Sequence, residues 1–466
     1  MELNFGFLVL SIVKIAGILA YIYVLLSVLG SASKWVRIAG VVGAFVIVQL
    51  ALSIGFGDVR ILNDFDRGLM FQALAMTMCA LGLNLIYGFN GQFSLGQWGF
   101  FGIGAYAAAD VTYRWKAGDP SGMVVLTVGV ILFGLIVLGI GVLLKRYKGM
   151  PVLSQFTLYL IGTLVAGLLA ILAARALDPL LAPLFGMADF PGPLRGDAVL
   201  QAIFPIAVIL GGAMAAETAF LFGLPVLTLG SDYFGIATLG FSIVINTLML
   251  NSDTILPFPE MRGGQGMLDI PQMGVTAWFW GFLFLLFVVI FMRNLVYSSE
   301  GRAIMSVRED ETAAKAMGID VAKQKLLSFV IGSLFAGIGG SLYALTTGTG
   351  FLSPGGFDFL TGFNPLIIVV FGGLGSMTGT ITASFAWIFI LEGLFRVVLG
   401  QFGTDAPTWR FVLYPITLVL LMLLRPQGLL GGVEWGFLKR LRYPVRTRAN
   451  TGAPAPPIGD LQPAGK

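Results

Sequence analysis

Few side chains in this sequence can do chemistry, and their types narrow it quickly. Histidine is absent and Cys79 is the sole cysteine. Zinc or haem sites built on His or several Cys, His-based acid/base catalysis and a Ser-His-Asp triad are excluded, as is a disulfide within the chain. What remains first is a set of ionisable groups stranded in apolar runs: Lys14, Asp110, Glu217, and Glu392 with Arg396. An ionisable residue at membrane depth is a functional candidate by default, but most of these have a plainer reading. Lys14 is long enough to snorkel, Asp110 sits near an expected helix end, and Glu392 and Arg396 stand four apart, where they pair on one helix. Glu217, inside AAETAF, is left as the one candidate proton or substrate group.

The second set is amides and hydroxyls. Residues 81–106, LGLNLIYGFNGQFSLGQWGFFGIGAY, place Asn84, Asn90, Gln92, Ser94 and Gln97 in an apolar stretch punctured by Gly88, Gly91, Gly96, Gly99, Gly102 and Gly104. Irregular backbone inside a bilayer persists only where protein buries it or water lines it, and broken helices of this sort form transport pathways near the midplane. Close packing through small residues accounts for the same glycines; both readings can hold for one segment. A related break, FGGLGSMTGT at 371–380, carries Gly372, Gly373 and Gly375. Asn84, Gly91, Gln92, Ser94, Gly96, Gln97, Gly372, Gly373 and Gly375 are accordingly the candidate translocation path. Gly332, Ala336 and Gly340, with Ser333, Gly337 and Ser341 on the adjoining ridge, form a small-xxx-small pattern and are assigned to packing alone.

The third feature is the loop YSSEGRAIMSVREDETAAKAMGIDVAKQK, residues 297–325. Ala303, Ile304, Val307, Thr312, Ala313, Ala314 and Met317 give a mostly apolar face at helical spacing, ringed by Arg308, Glu309, Asp310, Glu311 and Lys315. A short amphipathic helix stopping near Gly318 is expected. It lies on headgroups or presses into a groove on a soluble partner; Glu309, Asp310 and Glu311, which anionic lipid repels, favour the partner.

The elements that position these residues are membrane spans. The sequence is 57% hydrophobic and 11% charged, where soluble domains carry about a quarter charged residues. Apolar runs of the required ~20 residues recur from end to end. Candidate helices lie at about 5–29, 38–56, 69–87, 98–112, 123–144, 154–174, 199–222, 233–250, 276–292, 327–347, 363–379, 380–400 and 409–424. The fold class is all-α: a polytopic membrane helix bundle with Gly-broken helices and a cytoplasmic amphipathic helix. Basic residues are scattered between apolar runs, so the pI of about 9.1 reflects topology and no nucleic-acid partner is expected. Lys34, Arg37, Lys145, Arg146, Lys148, the 297–325 loop and the residues after Arg425 form the more basic side. That side is cytoplasmic by the positive-inside rule, leaving the N terminus outside and the C terminus in the cytoplasm. The first run lacks a basic flank and a small-residue cleavage site and reads as a retained helix. Residues 443–466, rich in Pro, Gly and small polar residues, read as a disordered cytoplasmic tail. No phosphate-cradling G-x-x-x-x-G-K-[ST] occurs, and RGGQG at 262–266 lies in an expected external loop.

Five blocks in order, ALGLNLIYGFNGQFSLGQWGFFGIGAY, GLPVLTLGSDYFGIATLGFS, GRAIMSVREDETAAKAMGID with KLLSFVIGSLFAGIGGSLYAL, FGGLGSMTGT and LRPQGLLG, resemble the permease subunits of branched-chain amino acid ABC transporters, closest to the M-type of the paired H and M permeases. The resemblance covers about residues 70–431. It implies that the loop carrying Arg308, Glu309, Glu311, Ala313, Ala314 and Gly318 is an EAA-type coupling segment that docks into a cytoplasmic ATP-binding subunit. It implies further partners: two such ATPase subunits, a second, H-type permease, an external or periplasmic amino-acid-binding protein, and the lipid bilayer of a bacterial inner (plasma) membrane. No cofactor is expected in this chain; ATP-Mg belongs to the partner subunits. On this reading residues 1–68 are N-terminal transmembrane helices and 69–442 the permease domain. Family members pass from the span after GIGAY almost directly into the GLPxL block, so the stretch at about 145–222 is an insert. The alternatives are a urea or short-amide permease of the same class, and an ion-coupled secondary transporter using Glu217. No catalytic cluster appears in the loops, so an enzyme is not expected.

Overall fold

The computed structural model describes residues 5–395, apart from 32, 54, 57–58, 61, 118–119, 147–151, 186–196, 228–230, 256–260, 275 and 347, and parts of 398–439. Helices follow in the order α1 (Phe5–Leu29), α2 (Lys34–Ser53), α3 (Asp64–Leu83), α4 (Gln97–Ala117), α5 (Pro120–Arg146), α6 (Val152–Phe185), α7 (Asp197–Val226) and α8 (Ser231–Leu250). A single turn, α9 (Ser252–Ile255), precedes α10 (Ala277–Tyr297), α11 (Ser299–Glu309), α12 (Glu311–Ala316), α13 (Val321–Thr346), α14 (Phe363–Gly372) and α15 (Met377–Trp387). The only strands among the described residues are the two-residue pair Gly55–Phe56 and Val59–Arg60. Ten of the described helices are long and apolar enough to cross a membrane, so the chain is a multi-pass, all-α bundle.

Burial separates centre from periphery. Of the apolar window in Asp64–Phe89, 94% is buried, against 17% for α1, α2 and α5. The small residues of α13 explain the centre. Gly332 meets Gly82 and Ile86 of the α3 span, Gly337 meets Gly211 and Ala215 of α7, and Gly340 meets the Phe101 carbonyl and Ala105 nitrogen of α4. A Cβ on Gly340 would overlap that carbonyl oxygen. Backbone-on-backbone contact of this kind is what small residues permit in lipid, where helix association relies on van der Waals contact and not on water exclusion.

Two of the stranded charges, Lys14 and Asp110, have partners. Lys14 Nζ reaches Asp66 Oδ2 at 2.6 Å, so it pairs across helices and does not snorkel alone. Asp110 accepts from Arg114 Nε at 3.0–3.1 Å. Arg396 lies outside the described residues, as do the 443–466 tail and most of the 409–424 run. Within the 145–222 stretch, α6 packs on α5 at the edge, whereas α7 sits in the centre against α13 and α4.

Two expected boundaries move. The break near 379/380 instead follows Gly373, whose φ of 108° ends α14, and Ser376 caps α15 by accepting from Gly379 N at 3.0 Å. The single amphipathic helix divides into α11 and α12 at Asp310, whose carboxylate accepts from Thr312 N (2.7 Å) and Ala313 N (3.0 Å).

Candidate functional site

At the end of α3 the helix widens into a π segment, Asn84–Phe89, closed by Asn90 N donating to Leu85 O at 3.2 Å. Such widened turns often mark functional sites. Asn84 is fully buried, and its amide is satisfied by the other break in the chain. Nδ2 donates to Ser376 O (3.0 Å) and Thr380 Oγ1 (2.9 Å), while Oδ1 accepts from Gly375 N (2.9 Å). Gly375 has a φ of 78°, a left-handed conformation that glycine adopts without strain. The two Gly-broken segments, nearly 300 residues apart, are therefore one junction.

Arg308, at the end of α11, reaches the same junction. Its Nη1 donates to Gly88 O at 2.5 Å, and its side chain lies against Gly91 and Gly375. From the other side comes the chain after the last apolar run. Leu429 N donates to Phe371 O (2.8 Å) and Leu430 N to Gly372 O (3.2 Å). The Glu434 carboxylate accepts from Met377 N (2.7 Å), Thr378 N (3.0 Å) and Thr378 Oγ1 (2.5 Å), an anion seated on the N-terminus of α15 where the helix dipole favours it. Burial pushes the Glu434 carboxyl above its ordinary value, against the opposing pull of those donors.

The remaining path candidates divide. Gln92, Ser94 and Gln97 are buried, on an extended segment whose Gly91 and Phe93 are exposed. Gln92 Oε1 accepts from Asn90 Nδ2 at 2.9 Å, and the same nitrogen donates to Ser328 Oγ at 2.6 Å. Gly96 packs on Thr238 of α8, and Thr238 Oγ1 accepts from Leu95 N at 3.1 Å. Neither amide atom of Gln97 has a hydrogen-bond partner among the described residues. Gly91 and Gly375 thus meet at Arg308, with Asn84 bonded to Gly375, whereas Gly372 packs on Gly379 and Gly373 on the 427–431 chain; Gln92 and Gly96 lead instead to α13 and α8.

The loop is anchored on α13. Glu300 accepts from Gln324 Nε2 (2.8 Å) and Lys323 Nζ (3.3 Å), and these donors, Gln324 foremost, hold its carboxyl below the usual range. Glu311 pairs with Lys325. Ala314 is buried with Val307 and Val321 in a small cluster, so it packs inward. Glu309, Ala313 and Gly318 are exposed, and Gly318 takes a φ of 80° behind α12. Met317, on the face expected to be apolar, is 82% exposed. Glu434 and Thr380 were not legible as site residues; Met317 had a signal in its spacing.

Residues 67–170 and 123–422 match the family described as branched-chain amino acid transport system / permease component. The chain belongs to this family. It is 32% identical over 248 residues to LivM, the high-affinity branched-chain amino acid transport permease of Escherichia coli K12, covering 47% of this chain and 56% of the relative. A probable LivM of Methanocaldococcus jannaschii is 25% identical over 323 residues, 61% of this chain and 86% of that one. LivH of E. coli K12 is 28% identical over 209 residues, 43% and 64%. The chain thus spans little more than half of the E. coli LivM it matches. No solved structure matches it. The family match runs through the π segment, the loop and the α14–α15 break, so the junction belongs to the permease core and is not an accretion on it.

Proposed function

We propose that this chain is a permease subunit of an ATP-driven importer for branched-chain or related hydrophobic amino acids, itself without enzymatic activity and energised by separate ATPase subunits. The observation that carries the reading is Arg308: one side chain on an exposed loop touches both breaks in the helices that cross the membrane. A force applied to α11 and α12 therefore acts directly on the irregular backbone where a path is to be expected. The docking face consists of Glu309, Ala313, Met317 and Gly318, with Glu311 at its edge; an exposed methionine among charged residues suits an adaptable apolar contact. ATP-Mg, a second permease of the H-type and an external binding protein complete the assembly. The loop side is cytoplasmic, which sets the N terminus outside.

The ion-coupled alternative loses ground on position. Glu217 lines a cavity of about 180 Å3 with Gly134, Val137, Leu138, Phe220 and Val330, and none of the path residues borders it. Mild-detergent purification from the native membrane tests the proposal. Co-elution of two ATP-binding proteins and a second permease is expected; recovery of the chain alone, where a control importer survives intact, refutes it.

A further inference from the structure

The N-terminal helix pair does not close onto the core. Between them runs a slot of about 260 Å3. One wall is a single stripe of α1, in which Lys14, Gly17, Tyr21, Leu25 and Leu29 recur at three- and four-residue spacing. Facing it are Trp278 and Phe282 of α10, Leu74 of α3 and Phe385 of α15, with Val48 of α2 beside them. Apolar stripes that face one another ordinarily interdigitate and leave few voids larger than a water molecule. These are held apart, and a cavity lined by hydrocarbon does not fill with water. α1, α2, α3 and α10, and α15 together with its continuation to Phe395, are long and apolar enough to span the bilayer, so the medium that reaches the slot is lipid.

Its shape and its one charged end say which part of a lipid. Between Lys14 and Leu29 the α1 wall runs about 22 Å at 1.5 Å per residue, longer than the ~15 Å that one leaflet contributes to a ~30 Å hydrocarbon core, so a chain need not fold back to fit. A long, narrow, apolar space of that length accepts an extended acyl chain. At one end Lys14 Nζ meets Asp66 Oδ2 at 2.6 Å, with side chains 22% and 11% exposed. Asp66 also accepts from Asn63 N at 3.2 Å, which fixes it at the start of α3. A positive and a negative group side by side complement a zwitterionic headgroup: the phosphate turns to Lys14 and the ammonium to Asp66.

We propose that the slot holds one acyl chain of a zwitterionic phospholipid, with its headgroup at the Lys14–Asp66 pair, and that this lipid joins α1 and α2 to α3, α10 and α15.

Gly17 provides the test. A Cβ added there meets no atom within 4 Å, so a larger side chain grows into the slot without striking backbone, and leucine favours a helix over glycine. Gly43 of α2 also has nothing within 4 Å but does not line the slot, which makes Gly43→Leu the matched control. The full chain is purified in mild detergent, mixed with palmitoyl-oleoyl phosphatidylethanolamine dissolved in mixed micelles of that detergent, and examined by native mass spectrometry and thermal unfolding. Wild type and Gly43→Leu retain one phospholipid and gain thermal stability from it. Gly17→Leu loses occupancy by about tenfold or more and no longer responds to lipid. Ala51→Phe, which fills the same slot, gives the same reading should Gly17→Leu fail to fold. Equal lipid retention in the filled variants, or a wild type that holds an adventitious detergent molecule only, overturns the proposal.

Discussion

Arg308 is the residue whose loss most directly tests the link between loop and path. Its guanidinium gives a charge-assisted hydrogen bond to Gly88 O at 2.5 Å, and the Gly91 and Gly375 backbones lie against it. Hydrogen bonds from charged groups contribute about 1.5–3 kcal/mol. Arg308 is an exposed residue, so solvent screening places it at the lower end, about 1.5 kcal/mol. At 1.4 kcal/mol per factor of ten, Arg308→Ala shifts the balance between the loop-attached and loop-detached arrangements by about tenfold. The assay is amino acid uptake per ATP hydrolysed in proteoliposomes holding the reconstituted complex. The ratio falls by about tenfold while assembly and hydrolysis persist, and Arg308→Lys, with its charge but without the planar fork, lies between. An unchanged ratio in Arg308→Ala refutes the reasoning. Loss of assembly would place Arg308 in the docking face instead.

Asn84→Leu keeps the branching and heavy-atom count, in a somewhat larger side chain, but removes three hydrogen bonds. At ~0.6 kcal/mol each in a membrane protein, plus about 1–3 for a Gly375 N–H left unpaired, it costs about 3–5 kcal/mol, read as a fall in Tm. Gly340→Ala forces α13 away from α4 and destabilises by about 1–3 kcal/mol; a Tm equal to wild type would show that the two helices do not approach as closely as the Phe101 contact requires. Glu311→Lys meets Lys325 and lowers transport. Adding Lys325→Glu restores the ion pair and loop order but not transport, since the docking face stays reversed; full recovery by the double variant would assign Glu311 to loop folding alone. Glu434 has a folded-state pKa raised by burial, so the folded state binds the proton more tightly than the unfolded one. Its contribution is complete at low pH and is lost as pH rises from 4.5 through the folded value. Wild-type Tm should therefore decline more steeply over that window than the Tm of Glu434→Gln; parallel profiles would remove Glu434 from the pH response.

The spans were legible because a bilayer demands long apolar runs, and the loop helix because its faces differ. The division at Asp310, where one continuous helix was expected, could have been set from the aspartate followed by Glu-Thr-Ala-Ala, a helix-start pattern whose carboxylate caps Thr312 and Ala313. The break after α14 could have been set from Gly373, Gly375 and Ser376 together, glycines at positive φ followed by a capping hydroxyl. What periodicity could not supply is pairing at a distance. Lys14 finds Asp66 52 residues on, Glu434 finds Thr378 56 residues back, and Asn84 finds Thr380 296 residues on. No local rule encodes these partners. An isolated buried amide or carboxylate announces only that it needs one.

The arrangement of anchors says where movement between loop and path is absorbed. Asn84, at the first residue of the π segment, is tied to Gly375, Ser376 and Thr380, and Gly88, near its last, is tied to Arg308. The grip of the membrane-embedded break and the grip of the loop therefore stand four positions apart, with three residues between them. An ordinary α-helical turn there would transmit displacement as a rigid rod; a π turn holds one residue more than an α turn and can return to α geometry only with a shift of register. Packed cores move between discrete arrangements and do not deform continuously. A push on α11 against the break thus meets a segment with two distinct geometries, and beyond it the Gly91–Gly96 chain runs along α8 with Gly91 at its root. Under the proposed function, nucleotide-driven motion of a docked partner needs such a two-state element to act on a path it does not touch. The π segment, more than any single charged group in the chain, is the structure that provides one.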